Sequence, residues 1–231
     1  MIEAVENAFQ IVVAGGCLIY SAYKAMSMRS RSWILLLFFY AELFMGNLYW
    51  QLYLIFINGN PLIPFVSEFC WDVCFGFLLV LVKRYSKSRV NIKKDPVLLI
   101  IPVFTVGMAI YYMQWGQIAD NIVVAVLMTF LMFECVCGLK TISGRGCYAS
   151  AGKEDPTGPD PKVKGLYRIT LWFCAIEYLS WTASCLFEGD TLANPYYWCD
   201  IALSISLLFF IPALNRCETK KTVARQGEGL S

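Results

Sequence analysis

Acidic side chains stand inside segments of this chain that are otherwise strongly apolar. The stretch "NLYWQLYLIF", from Asn47 to Phe56, carries two amides, two tyrosines and a tryptophan, and Glu42 lies just upstream. Ionisable groups inside apolar spans are costly, and by default they indicate a functional site. The other acids in such segments are Asp72, Glu134, Glu177 and Asp200.

None of these five acids has a Lys or Arg at a comparable depth in its segment. Because burial in hydrocarbon disfavours the charged form of a carboxyl group, we expect several of them to be protonated at neutral pH. A protonated carboxyl group can act as a general acid. The alternative for each acid is a hydrogen bond between helices, which contributes roughly 0.6 kcal/mol on average.

Aromatic side chains cluster in the same halves of four of these apolar segments. Their ring faces attract cations by about 0.5–2 kcal/mol each. An acid beside an aromatic wall therefore suits either a bound cationic ligand or a carbocation formed in place. For the three that follow Pro195, the alternative is an aromatic belt at a membrane interface. The cluster comprises Tyr49, Trp50, Tyr53, Trp71, Trp181, Tyr196, Tyr197 and Trp198.

The elements that carry these side chains are predicted to be membrane-spanning helices. The 231 residues are 58% hydrophobic and only 16% charged, against about 25% charged in a soluble domain. A spanning helix needs roughly 20 apolar residues, and seven segments qualify. We therefore predict an all-α, polytopic, single-domain bundle over residues 1–231, with a tail at 215–231. The predicted spans are about 7–27, 33–57, 62–83, 97–115, 118–139, 166–187 and 194–214.

The distribution of positive charge predicts the orientation of this bundle. All 19 Lys and Arg lie in or next to the segments that follow the first, third, fifth and seventh predicted spans, whereas "INGNPL", "QWGQIADN" and "FEGDTLANP" contain none. Cytoplasmic loops are enriched in Lys and Arg. The N-terminus is thus predicted to be non-cytosolic and the C-terminus cytosolic. Because these cations act as topological anchors, the net charge of +2 gives no indication of nucleic-acid binding.

Two parts of the sequence resemble each other weakly. The segment "YWQLYLIFINGNPLIPFVSEFCWD" aligns with "SWTASCLFEGDTLANPYYWCD", which places Trp50 on Trp181 and Asp72 on Asp200. The first and fifth spans contain "QIVVA" and "NIVVA". This pattern indicates a parallel repeat of three helices, one linker helix and three helices.

Several classes of active site are excluded by composition. The chain has no histidine, so histidine-based zinc sites and Ser-His-Asp or Cys-His catalysis cannot be built. It contains no phosphate-binding glycine loop and no Asp-rich run that could hold Mg²⁺ on a diphosphate. We therefore expect no metal and no cofactor.

Four short motifs resemble the membrane-bound terpene cyclases of fungal meroterpenoid and indole-diterpene pathways. "NLYWQL" is similar to the Asn-x-x-Trp-Glu-(Val/Ile/Leu) signature of that family, and "IYSAYK" is similar to its Ile-Tyr-x-x-(Phe/Tyr)-Lys element. "SGRGCYAS" resembles a Ser-x-Arg-Gly-x-Ser element that follows the fifth span. "NPYYWCDIALSI" resembles the last span, with its lone Asp.

The resemblance implies a seven-span enzyme that cyclises prenyl chains, often terminal epoxides, by protonation. Family members use a Glu in the second span and an Asp in the last. Asp200 matches the Asp, but the Glu position is occupied by Gln51, which has no proton to donate. Either Asp200 is the acid and Gln51 orients the epoxide oxygen, or Glu42 or Glu177 supplies the proton, or this chemistry is lost.

The sequence thus favours a protonation-initiated cyclase acting on a prenylated lipophilic substrate within the bilayer. Its membrane would be the endoplasmic reticulum in a eukaryote or the inner membrane in a bacterium. The alternatives are a seven-helix transporter or receptor that uses midplane carboxylates, and an accessory subunit of a larger membrane complex. The expected catalytic residues are Asp200, Gln51, Glu42 and Glu177. The expected substrate-binding residues are Asn47, Trp50, Tyr53, Asp72, Trp181 and Trp198.

Overall fold

The computed structural model describes residues 2–57, 65–86, 96–115, 117–143, 160–189 and 191–228. Within these ranges the regular structure is entirely helical, which confirms the predicted all-α class. The helices are α1 (Ile2–Met28), α2 (Arg31–Phe56), α3 (Phe65–Tyr85), α4 (Ile100–Tyr112), α5 (Ile118–Ile142), α6 (Lys164–Leu186) and α7 (Pro195–Glu228). The α4 and α6 helices are preceded by 3₁₀ turns at Pro96–Leu99 and Pro161–Val163.

Six of these helices are long and apolar enough to cross a membrane, and α4 is a shorter apolar helix. Its 13 residues extend about 20 Å at 1.5 Å per residue, less than the ~30 Å of a hydrocarbon core. The predicted span at 97–115 is broken at both ends, by the 3₁₀ turn before Ile100 and by the turn at Met113–Trp115. The chain is a multi-pass membrane protein.

Six helices form a closed ring and the seventh lies outside it. Neighbours around the ring are α1, α2, α3, α5, α6 and α7, and α7 packs back on α1. Helix α4 packs along α5, and its Tyr112 ring also meets Trp181 of α6. The order of contacts within α1–α3 matches that within α5–α7, as a three-plus-one-plus-three arrangement requires.

Helices α1 and α7 run in the same direction. Glu6 and Asp200 face each other near the two helix starts, and Asn215 Nδ2 lies 3.4 Å from the Tyr20 hydroxyl near the two ends. We call the end where α1, α3, α5 and α7 begin the acidic end, and the opposite end the basic end. Every Lys and Arg that the structure describes lies in the last turns, first turns or connections of the basic end. The side of the membrane that each end faces stays a prediction.

A cluster of aromatic rings fills the middle of the ring of helices. Phe39 of α2 lies 5.6 Å from Phe173 of α6 and 5.4 Å from Phe210 of α7, measured between ring centroids. Phe75 of α3 reaches Phe173 at 5.9 Å. The Tyr40 hydroxyl donates a hydrogen bond of 2.7 Å to the Leu207 carbonyl. Four helices therefore meet in a packed layer at mid-depth.

A second layer, built on one buried acid, closes the basic end. The Glu218 carboxyl group of α7 accepts hydrogen bonds from Ser30 Oγ at 2.6 Å and from Ser32 Oγ at 3.0 Å, beside the α1–α2 connection. It also accepts a hydrogen bond from the Tyr85 hydroxyl at the end of α3. Arg84 Nε donates to Ser32 Oγ at 3.1 Å. This network joins α2, α3 and α7.

Candidate functional site

Below the mouth of the acidic end, α3, α4, α5 and α6 enclose a cavity of about 230 Å³, which we call the acidic pocket. Its acids are Glu68, Asp72 and Asp120. Its aromatic walls are Trp71, Tyr112, Trp115 and Trp181, and its remaining lining residues are Asn121, Ser184 and Cys185. The pocket thus combines carboxyl groups with aromatic rings, the combination expected from the sequence.

A second cavity, of about 540 Å³, lies between α3 and α5, and we call it the lipid-side groove. Its lining is almost wholly apolar, and the exposed side chains of Phe65, Phe69 and Val80 place it on the outer surface of the bundle. A hydrocarbon chain in the bilayer can therefore enter this groove without crossing water.

The two cavities meet at a pair of carboxyl groups, because Asp72 and Asp120 line both of them. The side chains of Asp72 and Asp120 are hydrogen-bonded to each other, and Glu68 lies within electrostatic range. A hydrogen bond between two carboxyl groups requires a proton on at least one of them, because an ionised carboxylate can only accept. The pair therefore presents a carboxyl group that can donate a proton at the boundary between groove and pocket.

The aromatic walls are held in place by hydrogen bonds outside the pocket. Trp71 Nε1 donates to Asn47 Oδ1 of α2 at 3.2 Å. The Tyr112 hydroxyl donates to the Tyr178 carbonyl at 3.0 Å and lies 2.8 Å from Thr182 Oγ1. With Tyr112 fixed, its ring meets Trp181 edge-on at 5.5 Å. The shape of the pocket is therefore set before any ligand enters.

Two polar atoms at the pocket are buried and have no hydrogen-bond partner among the described residues: Asn121 Nδ2 and Glu68 Oε2. Asn121 is only 5% exposed. Buried polar groups are almost always hydrogen-bonded, and each exception calls for an explanation. One atom is a donor and the other an acceptor, so together they suit a ligand that can both accept and donate.

A second group of acids lies between α1, α6 and α7. Asp200 is 7% exposed and accepts a hydrogen bond from Ser180 Oγ. The Tyr196 hydroxyl and the Gln10 amide also face its carboxyl group. Both Glu6 and Glu177 lie within electrostatic range of Asp200. In contrast to the Asp72–Asp120 pair, Asp200 is surrounded by donors from the protein itself.

The structure brings some of the predicted site residues together at the acidic pocket. Asp72 and Trp181 line it, and Asn47 supports it through Trp71. Trp50 also stands behind Trp71, at 6.0 Å between centroids, and its Nε1 donates to Glu3 Oε1 at 3.1 Å. Glu177 lies one helical turn below Trp181, on the same face of α6.

The other predicted residues lie elsewhere. Glu42 faces the Cys70 thiol between α2 and α3, and Tyr53 packs on Tyr49 at 5.3 Å. The Oε1 atom of Gln51 is buried without a partner among the described residues. Trp198 is 58% exposed, and its Nε1 donates to the Leu192 carbonyl at 2.9 Å, as the aromatic-belt interpretation expects.

Sequence reasoning missed several residues of both acid groups. Asp120 lies in "QWGQIADN", which was assigned to a loop and the first residues of a span, yet it falls in the first turn of α5. Glu6 was left just outside the first predicted span, but α1 already begins at Ile2. The "QIVVA" and "NIVVA" repeat was the available signal, since it places Gln10 and Asn121 at equivalent positions beside the two acid groups.

Among the described residues, no group of three or more His, Cys, Asp or Glu is arranged to hold a metal ion. No family model, curated protein or solved structure matches the chain.

Proposed function

We propose that this protein is an integral membrane cyclase that initiates cyclisation of a prenylated lipophilic substrate by protonation, in the manner of a membrane-bound terpene cyclase. The reaction site is the acidic pocket, and the acid is the Asp72–Asp120 pair. This assignment moves the proton donor from Asp200, the residue favoured by sequence resemblance, to the pair that borders both cavities.

The observation that carries the proposal is the junction of the two cavities. The lipid-side groove is open to hydrocarbon, the acidic pocket is walled by aromatic rings, and a hydrogen-bonded carboxyl pair stands between them. A prenyl chain lying in the groove would place its reactive end beside this pair. Holding the substrate in this way supplies the proximity that an intramolecular ring closure needs.

The chemistry balances without any further reactant. The neutral carboxyl group of the pair donates its proton to the epoxide oxygen, and the carbon–oxygen bond breaks with its electron pair going to oxygen. A double bond of the same chain attacks the electron-deficient carbon and closes the ring. Trp71, Trp115 and Trp181 stabilise the resulting cation. A carboxylate of the pocket then removes a proton to form the alkene, so the overall reaction is an isomerisation.

The packed layers below the pocket favour an enzyme over a transporter. The Phe39, Phe173 and Phe210 cluster fills the ring of helices at mid-depth, and the Glu218 network closes the basic end. A cavity that is shut on this side suits a reaction from which water must be excluded. A transporter would have to open both layers during each cycle.

The test is turnover of an epoxidised prenyl-aromatic compound by membranes that contain the full-length chain. We expect the Asp72→Asn variant to lose turnover by about 10²–10⁴, the usual contribution of a general acid. Glu188→Gln is the matched control, since Glu188 is an exposed acid at the same end of the bundle. Absence of product from the unmodified protein, or equal turnover by Asp72→Asn, would refute the proposal.

A second function, transport or reception of a cationic solute, is favoured by one observation: three carboxyl groups line the pocket without a Lys or Arg among its lining residues. Sealed vesicles separate the two functions. A transporter would accumulate a labelled organic cation in response to a pH gradient, and Asp72→Asn would abolish that uptake. A cyclase would form product in open membranes, where no gradient exists.

A further inference from the structure

We infer that the acidic pocket binds an organic cation, the ammonium head of a long-chain amino alcohol whose hydrocarbon tail lies in the lipid-side groove. This inference shares its pocket with the proposed function but goes beyond it, because binding requires no reaction. It therefore holds or fails separately from turnover.

The charge of the pocket selects a cation. Three carboxyl groups line it, and no Lys or Arg contributes to its lining. Asp72 and Asp120 are hydrogen-bonded to each other, and Glu68 adds a third carboxyl group close by. An ammonium ion in the pocket would donate to carboxyl oxygens with no Lys or Arg competing for them, whereas a sulfate or phosphate head would find no cation to pair with.

The walls favour an organic ammonium ion over a small inorganic one. Trp71, Tyr112, Trp115 and Trp181 present four aromatic rings to a single cavity. Aromatic cages of this kind recognise alkylated ammonium groups through the negative faces of the rings. The fixed positions of Trp71 and Tyr112, each held by a hydrogen bond from outside the pocket, mean that the cage is preorganised.

Two buried polar atoms without a partner among the described residues, Glu68 Oε2 and Asn121 Nδ2, indicate which hydrogen-bonding groups the head group carries. Glu68 Oε2 is a buried acceptor, and an ammonium group can donate to it. Asn121 Nδ2 is a donor, and a cation alone cannot satisfy it. A hydroxyl group next to the ammonium would accept from Asn121 while the nitrogen donates to the carboxylates. An amino alcohol therefore satisfies both Asn121 and Glu68, whereas a simple amine satisfies only Glu68.

The lipid-side groove accommodates the hydrocarbon tail of the ligand. The lipid-side groove runs from the exposed side chains of Phe65 and Phe69 to Asp72 and Asp120, which also line the acidic pocket. A single hydrocarbon chain attached to the head group would follow this path. The ligand class is thus a single-chain cationic amphiphile of the kind found dissolved in a bilayer.

The experiment is calorimetric titration of the full-length protein in nanodiscs with three probes of equal chain length: an amino alcohol, an amine and an alcohol. We expect the alcohol to bind at least tenfold more weakly than the amino alcohol, and the amine to fall between them. Glu68→Gln should weaken binding of the amino alcohol about tenfold. The matched Glu188→Gln control should leave its affinity unchanged.

Asn121→Leu supplies the specific test, because it removes the donor while keeping the side chain similar in size. It should abolish the preference for the amino alcohol over the amine and leave amine binding intact, a result that misfolding cannot produce. Equal affinities for all three probes, or an unaffected Glu68→Gln, would overturn the inference. Binding without turnover would leave it standing and reject the cyclase, while turnover without amine binding would reject only the inference.

Discussion

Two pairs of acids stand at equivalent interfaces of the helical ring, and their surroundings differ. Asp72 of α3 is hydrogen-bonded to Asp120 of α5, whereas Asp200 of α7 lies within electrostatic range of Glu6 of α1. In the three-plus-one-plus-three order, the α3–α5 and α7–α1 interfaces correspond. The first pair lines two cavities, whereas Asp200 is enclosed by Ser180, Tyr196 and Gln10.

The two interfaces differ in whether they leave space for a ligand beside the acids. A buried carboxyl group must find hydrogen-bond partners. At the α1–α7 interface the protein supplies donors to Asp200, although Glu6 Oε1 is buried without a partner among the described residues. At the α3–α5 interface the two acids are hydrogen-bonded to each other and line two cavities. Because an acid that faces a cavity can reach a ligand, the α3–α5 pair is the better candidate for chemistry.

Neutralising one acid of each pair separately and measuring turnover tests which interface carries the catalytic acid. Asp72→Asn should reduce the rate by about 10²–10⁴, whereas Asp200→Asn should keep it within a few-fold, since the amide still accepts from Ser180. Rates are measured on the epoxidised substrate at equal amounts of folded protein. The reverse ranking would assign catalysis to Asp200, as the family resemblance implies.

The loss of stability should follow the opposite order, with a larger loss for a substitution at Asp200 than at Asp120. Asp200→Ala leaves the buried donors around this carboxyl group without an acceptor, which should lower the free energy of unfolding by about 1–3 kcal/mol. Asp120→Ala removes one side of a pair that faces a cavity, so its cost should be smaller. Chemical unfolding of the two variants in micelles compares them. Equal losses would mean that the α3–α5 pair is structural as well.

The groove can be blocked without touching either pair. Gly76 lines it, and a Cβ atom added there would meet nothing within 4 Å. Gly76→Leu should fill the space that the tail needs and raise the KM or the Kd about tenfold, equivalent to ~1.4 kcal/mol. Gly107→Leu, at an equally unobstructed glycine of α4, is the control. An unchanged KM in Gly76→Leu would show that substrate does not use the groove.

The smallest expected effect concerns the support of the pocket wall. Asn47→Leu removes the acceptor of the Trp71 indole. Because hydrogen bonds of this kind within membranes average about 0.6 kcal/mol, affinity for the amino alcohol should fall roughly threefold. Binding is measured by titration, with turnover as a second readout. A loss as large as that of Glu68→Gln would mean that Asn47 contacts the ligand directly.

The architecture was largely predictable because hydropathy and charge report it directly. Apolar length located the helices, and the segregation of Lys and Arg agrees with the basic end that the described residues form. The departure was α4, since the apolar stretch at 97–115 gives no sign that Pro96–Leu99 forms a 3₁₀ turn or that the helix stops at Tyr112.

The candidate site was predictable only in part. Asp72 and Trp181 were identified because they stand out in apolar surroundings, and both line the pocket. Asp120 was not, because an acid at the start of a helix looks like an ordinary first-turn residue that favours the helix dipole. Its importance comes from the packing of α5 on α3, which the sequence indicates only through the weak "QIVVA" and "NIVVA" repeat.

The position of α4 outside the ring has a consequence for how such a molecule can be built. Two separate copies of a three-helix unit inserted in the same direction would close the ring by themselves, with the first helix of each copy against the third helix of the other. A fourth helix is needed only when both units belong to one polypeptide, because the chain must return to its starting side before the second unit begins. The order of helix contacts is the one that two such units joined in a single polypeptide would give, with α4 as the returning segment.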